Sequence, residues 1–388
     1  MRELGNNRVK QLKPSATMAM SVKANELKAN GIDIINLAGG EPNFDTPAPI
    51  KQAAIDALNN GETHYTMGGG VKALREGIVD KLKAENNIIA NIDQIVLTPG
   101  GKYALFLSIQ SLLNEGDEVI IVAPSWVSYE PMLIANGAIP VFLELTEEDN
   151  FMLTKDKLLT KTTDKTKMVI VCSPSNPTGH DLTLEEIDEL VDYIKETDVS
   201  ILMDEIYEHL IYERPHLSLA ANKEIADKVI TIMGFSKGYA MTGWRLGYIV
   251  ASKENIGYIN KVYQHSITCV NSFVQYGAIK ALTCHKEIEE MRQAYLRRRN
   301  FFIEDLNNIK GVKAIIPEGA FYAWVELTKE GYNDSESLCN YILEEAHVAG
   351  APGVAFSTSD KCHVRFSIAS SDEDLKEAAR RIKAAMEK

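Results

Sequence analysis

The chain lacks several features that would place it in a class at once. No stretch approaches the ~18 consecutive apolar residues of a membrane span, and the N-terminal MRELGNNRVKQLKPSATMAM carries basic residues without an apolar core of signal-peptide length. Both absences predict a soluble, cytoplasmic protein with no membrane partner. Cysteine is scarce: the five, at 172, 269, 284, 339 and 362, form no CxxC pair and no Cys/His metal spacing, so reduced thiols and no metal site are expected. Positive charge is short as well. The 41 Lys plus Arg against 54 Asp plus Glu give a formal net charge of −13, which opposes attraction to nucleic acid or an anionic membrane face. Neither GxGxxG nor GxxxxGK occurs, which disfavours NAD and ATP enzymes.

What remains is a long chain of ordinary globular composition. Its 388 residues, 45% hydrophobic and 24% charged, suffice for a large core and predict two domains. From about residue 94 to 250, short apolar runs such as DEVIIVAPSW, KMVIVCSPSNPTG and SILMDEIYEHL alternate with amphipathic segments. Such runs fit strands covered on both faces and the segments between them fit crossover helices, so the pattern predicts a mostly parallel mixed α/β sheet. Helical periodicity follows from Ser252 to about Asn308, where the basic run LRRRN at 296–300 is expected to be a solvated face. Strands near 312–327 and 362–370 with helices at 335–347 and 371–387 predict a smaller α+β domain. The Pro-rich stretch 41–49 punctuates the chain before the next helix, so 1–47 is assigned with 309–388 to the small domain and 48–308 to the large one.

Several predicted strands end in chemically loaded loops: TPGGK at 98–102, SPSNPTG at 173–179, DEIYEHL at 204–210 and GFSKGYAMTGWR at 234–245. Ligands of open α/β sheets sit beyond the carboxyl ends of strands, so these loops predict one shared pocket. Lys237, flanked by Ser236 and glycine, is a candidate for amine chemistry, because burial lowers a lysine's pKa. Arg245 near Ser236, and the backbone donors of TPGGK at a helix start, could cradle an anion. Asp204 would be costly at the end of an apolar strand unless it met a cation or donors. Taken singly each has an ordinary explanation: TPGGK as a plain strand-to-helix turn, Asp204 as a helix cap, Asn176 as an Asx turn before Pro177, Tyr207 as packing. Together, an amine, a carboxylate, a phenol, an amide, an arginine and an anion loop match the needs of a phosphorylated pyridine aldehyde.

With GGEPNFDTP, HYT, PEGAFYAW and VRFS in order around those loops, and KPSAT near Lys13, the chain resembles the fold-type-I, class I aminotransferases, in particular the bacterial branch of aspartate aminotransferases. The resemblance implies a pyridoxal 5'-phosphate (PLP) transferase fold with a large domain and a smaller α+β domain. It implies that Lys237 holds the cofactor as a Schiff base and moves the substrate proton. Asp204 would pair with the ring nitrogen, Tyr207 and Asn176 with the ring oxygen, and Trp126 would stack on the ring. Ser236, Arg245, and the Gly101 and Lys102 backbone would hold the phosphate, with Tyr65 reaching in from a partner in a homodimer with shared active sites. Arg365 would bind the substrate α-carboxylate by a two-pronged contact, with Gly40 closing over it. One departure concerns Gly234, three residues before the lysine, where the family frequently has a hydroxyl.

The implied activity belongs to amino acid metabolism: transfer of an amino group between an L-amino acid, aspartate by resemblance, and a 2-oxo acid, 2-oxoglutarate by resemblance, in a ping-pong cycle. Aromatic-amino-acid, broad-specificity or prephenate transamination, or carbon–sulfur β-elimination, could run on the same residues. Outside that class, Gly234 to Gly238 fits G-x-S-x-G with Ser236 as a hydrolase nucleophile, but no Asp and His follow in the required order. A PLP-sensing regulator is disfavoured by the net charge and by a resemblance that leaves no room for a DNA-binding domain.

Overall fold

The computed structural model describes residues 4–14, 16–360 and 362–388, so Ser15 of the KPSAT run lies outside the described residues. Helix α1 (Ala16–Ala29) and the short strand β1 (Ile35–Asn36) precede α2 (Ala48–Asn59) and α3 (Lys72–Glu85). Seven strands then build one sheet: β2 (Ile95–Thr98), β3 (Glu118–Ala123), β4 (Ile139–Glu144), β5 (Thr166–Cys172), β6 (Ser200–Asp204), β7 (Val229–Gly234) and β8 (Gly247–Val250). Their order is β2-β8-β7-β6-β5-β3-β4. Every pairing from β4 through β7 is parallel, and β8 alone runs antiparallel to both neighbours. The expected mixed, mostly parallel sheet is therefore present.

The apolar runs explain its centre. VITIMG of β7 is buried at every position and SILMD of β6 at all but the first, as required where helices cover both faces. The helix Leu184–Thr197 shows how a cover is specified: Thr183 and Glu186 form a capping box, and Ile187, Leu190, Val191 and Ile194 repeat at helical spacing on the buried side. Full burial of such side chains stabilises the fold by about 1.5–3 kcal/mol each.

Toward the C-terminus, β9 (Val312–Ala314), β10 (Tyr322–Leu327), β12 (Ala351–Pro352) and β13 (His363–Ser367) form an antiparallel sheet of order β12-β13-β10-β9. The helices Ser335–Ala346 and Asp372–Met386 pack with it around a second core that includes Phe321, Phe366 and Leu375. Strand β11 (Val348–Ala349) pairs in parallel with β1, which ties the N-terminal segment to this C-terminal unit.

One expectation is overturned. The basic run at 296–300, inside the helix His285–Asn307, is not a solvated face, because Arg298 and Arg299 are buried. Arg298 donates to Asp372 at 2.8 Å and to Asn43 at 2.9 Å and lies over the Phe44 ring. Arg299 donates to the Pro317 carbonyl at 3.1 Å and to Glu213 at 2.6 Å. Only Arg297 of the three arginines is exposed. The charges face inward because acceptors from four other segments surround them, which periodicity within one helix does not reveal.

Candidate active site

The parallel strands β2, β3, β5, β6 and β7 release their chains at one edge of the sheet, and β8, running backwards, starts there. This puts the loops after Thr98, Ala123, Cys172, Asp204 and Gly234, and the segment leading into Gly247, around a single cavity of about 630 Å³. Gly40 and Arg365 complete its wall from the N- and C-terminal segments. Gly101, Lys102, Trp126, Asn176, Asp204 and Tyr207 line it together with Ser236, Lys237 and Arg245.

Lys237 and Asp204 occupy its depths. The Lys237 ammonium donates to the Gly40 carbonyl. Burial, with help from the Arg365 and Arg245 charges and against the pull of Glu41 and Asp204, brings its pKa down to about 8. About a tenth of the side chain is thereby free amine near pH 7, against well under a thousandth for an ordinary lysine. The Asp204 carboxylate accepts from the Tyr129 hydroxyl at 2.7 Å and from the Ile206 N–H at 3.3 Å. Burial pushes its pKa up to about 6, while those hydrogen bonds pull the other way. A nearby cation would be rewarded here.

Two cation-rich ends flank this centre. At one, helix α4 (Gly101–Leu112) begins at Gly100, whose φ is 83° and where no side chain caps the helix. A Cβ on Gly100 would lie 2.6 Å from Arg245 Nη2, so only glycine lets the guanidinium come against the helix start. Lys102 projects its ammonium 4.9 Å from the centre of the Trp126 ring, and burial, then the Arg245 charge, lowers its pKa. At the other end Arg365 is 3% exposed. Its Nη1 donates to Asn176 Oδ1 at 2.8 Å and its Nη2 to the Ala38 carbonyl at 2.7 Å, while its Nε has no hydrogen-bond partner. Both partners are neutral, so its charge is solvated by dipoles and by the faces of Tyr322 and Phe356. Tyr207 lies 2.8 Å from the Tyr322 hydroxyl, and burial raises both phenols, which keeps them neutral.

Tyr65 is the predicted site residue that this chain does not bring to the cavity. It is 87% exposed and borders a separate groove with His64 and Phe273. Three participants were missed in the sequence. Tyr129 holds Asp204, Tyr322 touches Tyr207 and Arg365, and Glu41 accepts from Thr242 beside the lysine loop. Tyr129 stands three positions after Trp126 and Tyr322 lies within PEGAFYAW, so both were adjacent to quoted motifs, yet neither has a local pattern that distinguishes it from a core tyrosine.

Comparison with known proteins adds independent information. The profile of the family "Aminotransferase class I and II" matches residues 32–382. An aspartate aminotransferase of Musicola paradisiaca is 41% identical over 372 residues, covering 95% of this chain and 93% of that protein. A probable aspartate/prephenate aminotransferase of Aquifex aeolicus is 39% identical over 388 residues, 98% of each. Among solved structures, the aspartate aminotransferase of Thermus thermophilus with maleate superposes with a TM-score of 0.94 at 38% identity, covering 99% of this chain and all of that one. An aromatic aminotransferase of Pyrococcus horikoshii superposes with a TM-score of 0.89 at 39% identity, covering 94% and 98%.

Proposed function

The chain belongs to the class I and II aminotransferases and is a PLP-dependent transaminase, and on that premise we propose that aspartate is its amino donor and 2-oxoglutarate its acceptor. The donor set fits the cofactor: an amine of lowered pKa, a buried carboxylate facing open space, and an uncapped helix start beside a guanidinium. In this reading Lys237 carries PLP, Asp204 meets the ring nitrogen, and Tyr207 and Asn176 meet the ring oxygen. Trp126 would cover the ring, while the Gly101 and Lys102 backbone, Ser236 and Arg245 would hold the phosphate. When bound, PLP supplies an electron-withdrawing ring that stabilises negative charge at the substrate Cα.

The residues of the chain then perform the rest. Arg365 would clamp the α-carboxylate through its planar guanidinium, and Gly40 borders the same space. A Cβ at Gly40 would come 2.5 Å from the Tyr322 hydroxyl, so that close approach requires glycine. Lys237, its amine freed when the substrate amine takes its place, would accept the proton from the substrate Cα and hold it for redelivery. Asp204 stays anionic opposite a cation, and Tyr129 keeps its carboxylate pointed at the cavity floor.

The observation that carries the aspartate reading is the Lys102 ammonium inside the cavity, a second cation apart from Arg365 and therefore a feature suited to a dicarboxylate. The maleate bound by the Thermus thermophilus relative is also a dicarboxylate. An aromatic donor is the second reading, because the Pyrococcus horikoshii relative shares the fold at a similar identity. We assign 48–308 to a large domain and 1–47 with 309–388 to a small one, supported by the β1–β11 pairing. The exposed Tyr65 supports a homodimer in which each chain completes its partner's phosphate site. The absence, among the described residues, of any helix long and apolar enough to cross a membrane is compatible with a cytoplasmic enzyme.

The deciding experiment is a panel of amino donors with 2-oxoglutarate. The expected result is a kcat/KM for aspartate above those for phenylalanine and tyrosine, with parallel initial-rate lines. A higher value for phenylalanine would transfer the assignment to the aromatic class.

A further inference from the structure

Next to the strand ends, among residues that do not line the cavity, lies a buried cluster of charges that the reaction does not touch. Glu205 directly follows Asp204 and is fully buried. Its Oε2 accepts from the Ser218 hydroxyl at 2.6 Å and lies 3.0 Å from His216 Nε2. The other nitrogen of the same ring, Nδ1, lies 3.3 Å from Oδ1 of Asp181, which is also fully buried. Arg214, two residues before the histidine, lies 3.1 Å from the second oxygen of Asp181 and 3.9 Å from Glu318.

Ionised carboxylates only accept hydrogen bonds, and a neutral imidazole has one N–H. A ring that faces a carboxylate at each nitrogen is satisfied at both only as imidazolium. The chemistry of the surroundings agrees: burial opposes the charge, but Glu205 and Asp181 outweigh it and push the His216 pKa up to about 10. The cluster also links two pieces of the cavity wall. Ser173 donates its hydroxyl to Asp181 at 2.7 Å and its N–H to the Asp204 carbonyl at 3.1 Å, and three residues later Asn176 meets Arg365. Glu205, meanwhile, is the anion next to Asp204, and its charge favours a proton on that carboxyl.

We propose that His216 is a positioning residue for the cofactor site: as a fixed imidazolium clamped between Glu205 and Asp181, it holds the Asp204 and Asn176 loops together and cancels the Glu205 charge. Asp204 thereby remains an anion ready for the ring nitrogen. The inference deepens the function proposed above and rests on its pairing of Asp204 with that nitrogen.

A charge cycle on the holoenzyme tests it, using His216→Gln, Glu205→Gln/His216→Gln and, as reference, Asp204→Asn. The readouts are the dissociation constant of PLP from equilibrium dialysis and the pH titration of the bound cofactor's absorbance. Removing the cation alone is expected to raise the Asp204 pKa and, measured at about pH 5, below that pKa, to weaken PLP by about tenfold, the change in carboxylate fraction that one pKa unit produces there. Removing cation and anion together should return both readouts to within about threefold of wild type, which lost packing alone would not do. A double variant as weak as His216→Gln overturns the proposal. If Asp204→Asn loses PLP while His216→Gln matches wild type, the proposal fails and the Asp204 assignment stands. If Asp204→Asn itself keeps wild-type affinity and titration, the Asp204 assignment fails, and this inference with it. Should His216→Gln not fold, the histidine ¹⁵N spectrum of the His180→Gln protein decides: a doubly protonated buried ring at about pH 8 supports the clamp, and its absence refutes it.

Discussion

Two groups of charge in this protein differ in how they are paired. Facing the cavity, Arg365 has only neutral acceptors and one unsatisfied Nε, and Lys102 rests against an aromatic face. Beneath α3, by contrast, Lys81 and Glu208 form an ion pair with side chains 4% and 5% exposed, and Asn86 donates to the same carboxylate at 2.8 Å. Isolated buried charge is costly, so cations left without anions are sites kept for a ligand, whereas cations matched within the fold are scaffold. Removing the first kind should alter binding and turnover. Removing the second kind should alter stability.

The largest expected effect comes from the group that performs the chemistry. Lys237→Ala should abolish covalent retention of PLP and lower kcat by about 10²–10⁴, the usual worth of positioned acid–base catalysis. Steady-state rates and the absorbance of the dialysed protein give the answer, and near-wild-type turnover would remove Lys237 from its role.

Next in size is the scaffold pair. Lys81→Met should destabilise the fold by about 3–5 kcal/mol through the uncompensated Glu208, leaving KM for the amino acid unchanged. Burial opposes ionisation of Glu208, but the Lys81 and His209 charges bring its pKa down to about 2 from 4.5. A depressed carboxyl contributes stability that is complete above the unfolded pKa and is lost as pH falls through the folded one. Wild type should therefore lose this contribution between about pH 4.5 and pH 2. Urea unfolding of the variant should follow a flatter course across that window, and curves of equal slope would contradict the pairing.

Arg365→Lys keeps the charge and removes the fork, so KM for amino acids should rise about tenfold, in keeping with charge-assisted hydrogen bonds, with melting little changed. An unaltered KM would place the α-carboxylate elsewhere. The smallest effect is expected for Lys102→Met: KM for aspartate should rise severalfold while that for phenylalanine stays level, and an equal change for both would dissociate Lys102 from side-chain recognition. Together these variants ask whether unpaired cations govern ligands and paired ones govern folding.

Much of this was legible in the chain. Short apolar runs ending in glycine, proline, asparagine or aspartate identify both the parallel sheet and the edge where its loops meet, because strand burial and loop chemistry are local properties. Pairing across distance is not local. Arg298 and Arg299 look like a solvated stripe until Asp372, Asn43 and Glu213 are brought beside them by the fold. His216 reads as an isolated histidine, although its partners lie 11 and 35 positions away. Tyr129 meets Asp204 across 75 residues, and only the strand order of β3, β5 and β6 makes that contact possible.

Gly234 sets how closely three backbone segments approach one another. A Cβ there would sit 3.0 Å from the Gly247 Cα and 3.0 Å from Ile206 Cδ1. Gly247 in turn lies so close to the Gly100–Gly101 backbone that its own Cβ would come 2.7 Å from the Gly101 nitrogen. Three glycine-bearing segments are thus stacked without side chains, and a hydroxyl-bearing residue at position 234 would have to displace the Gly247 backbone by a few tenths of an ångström.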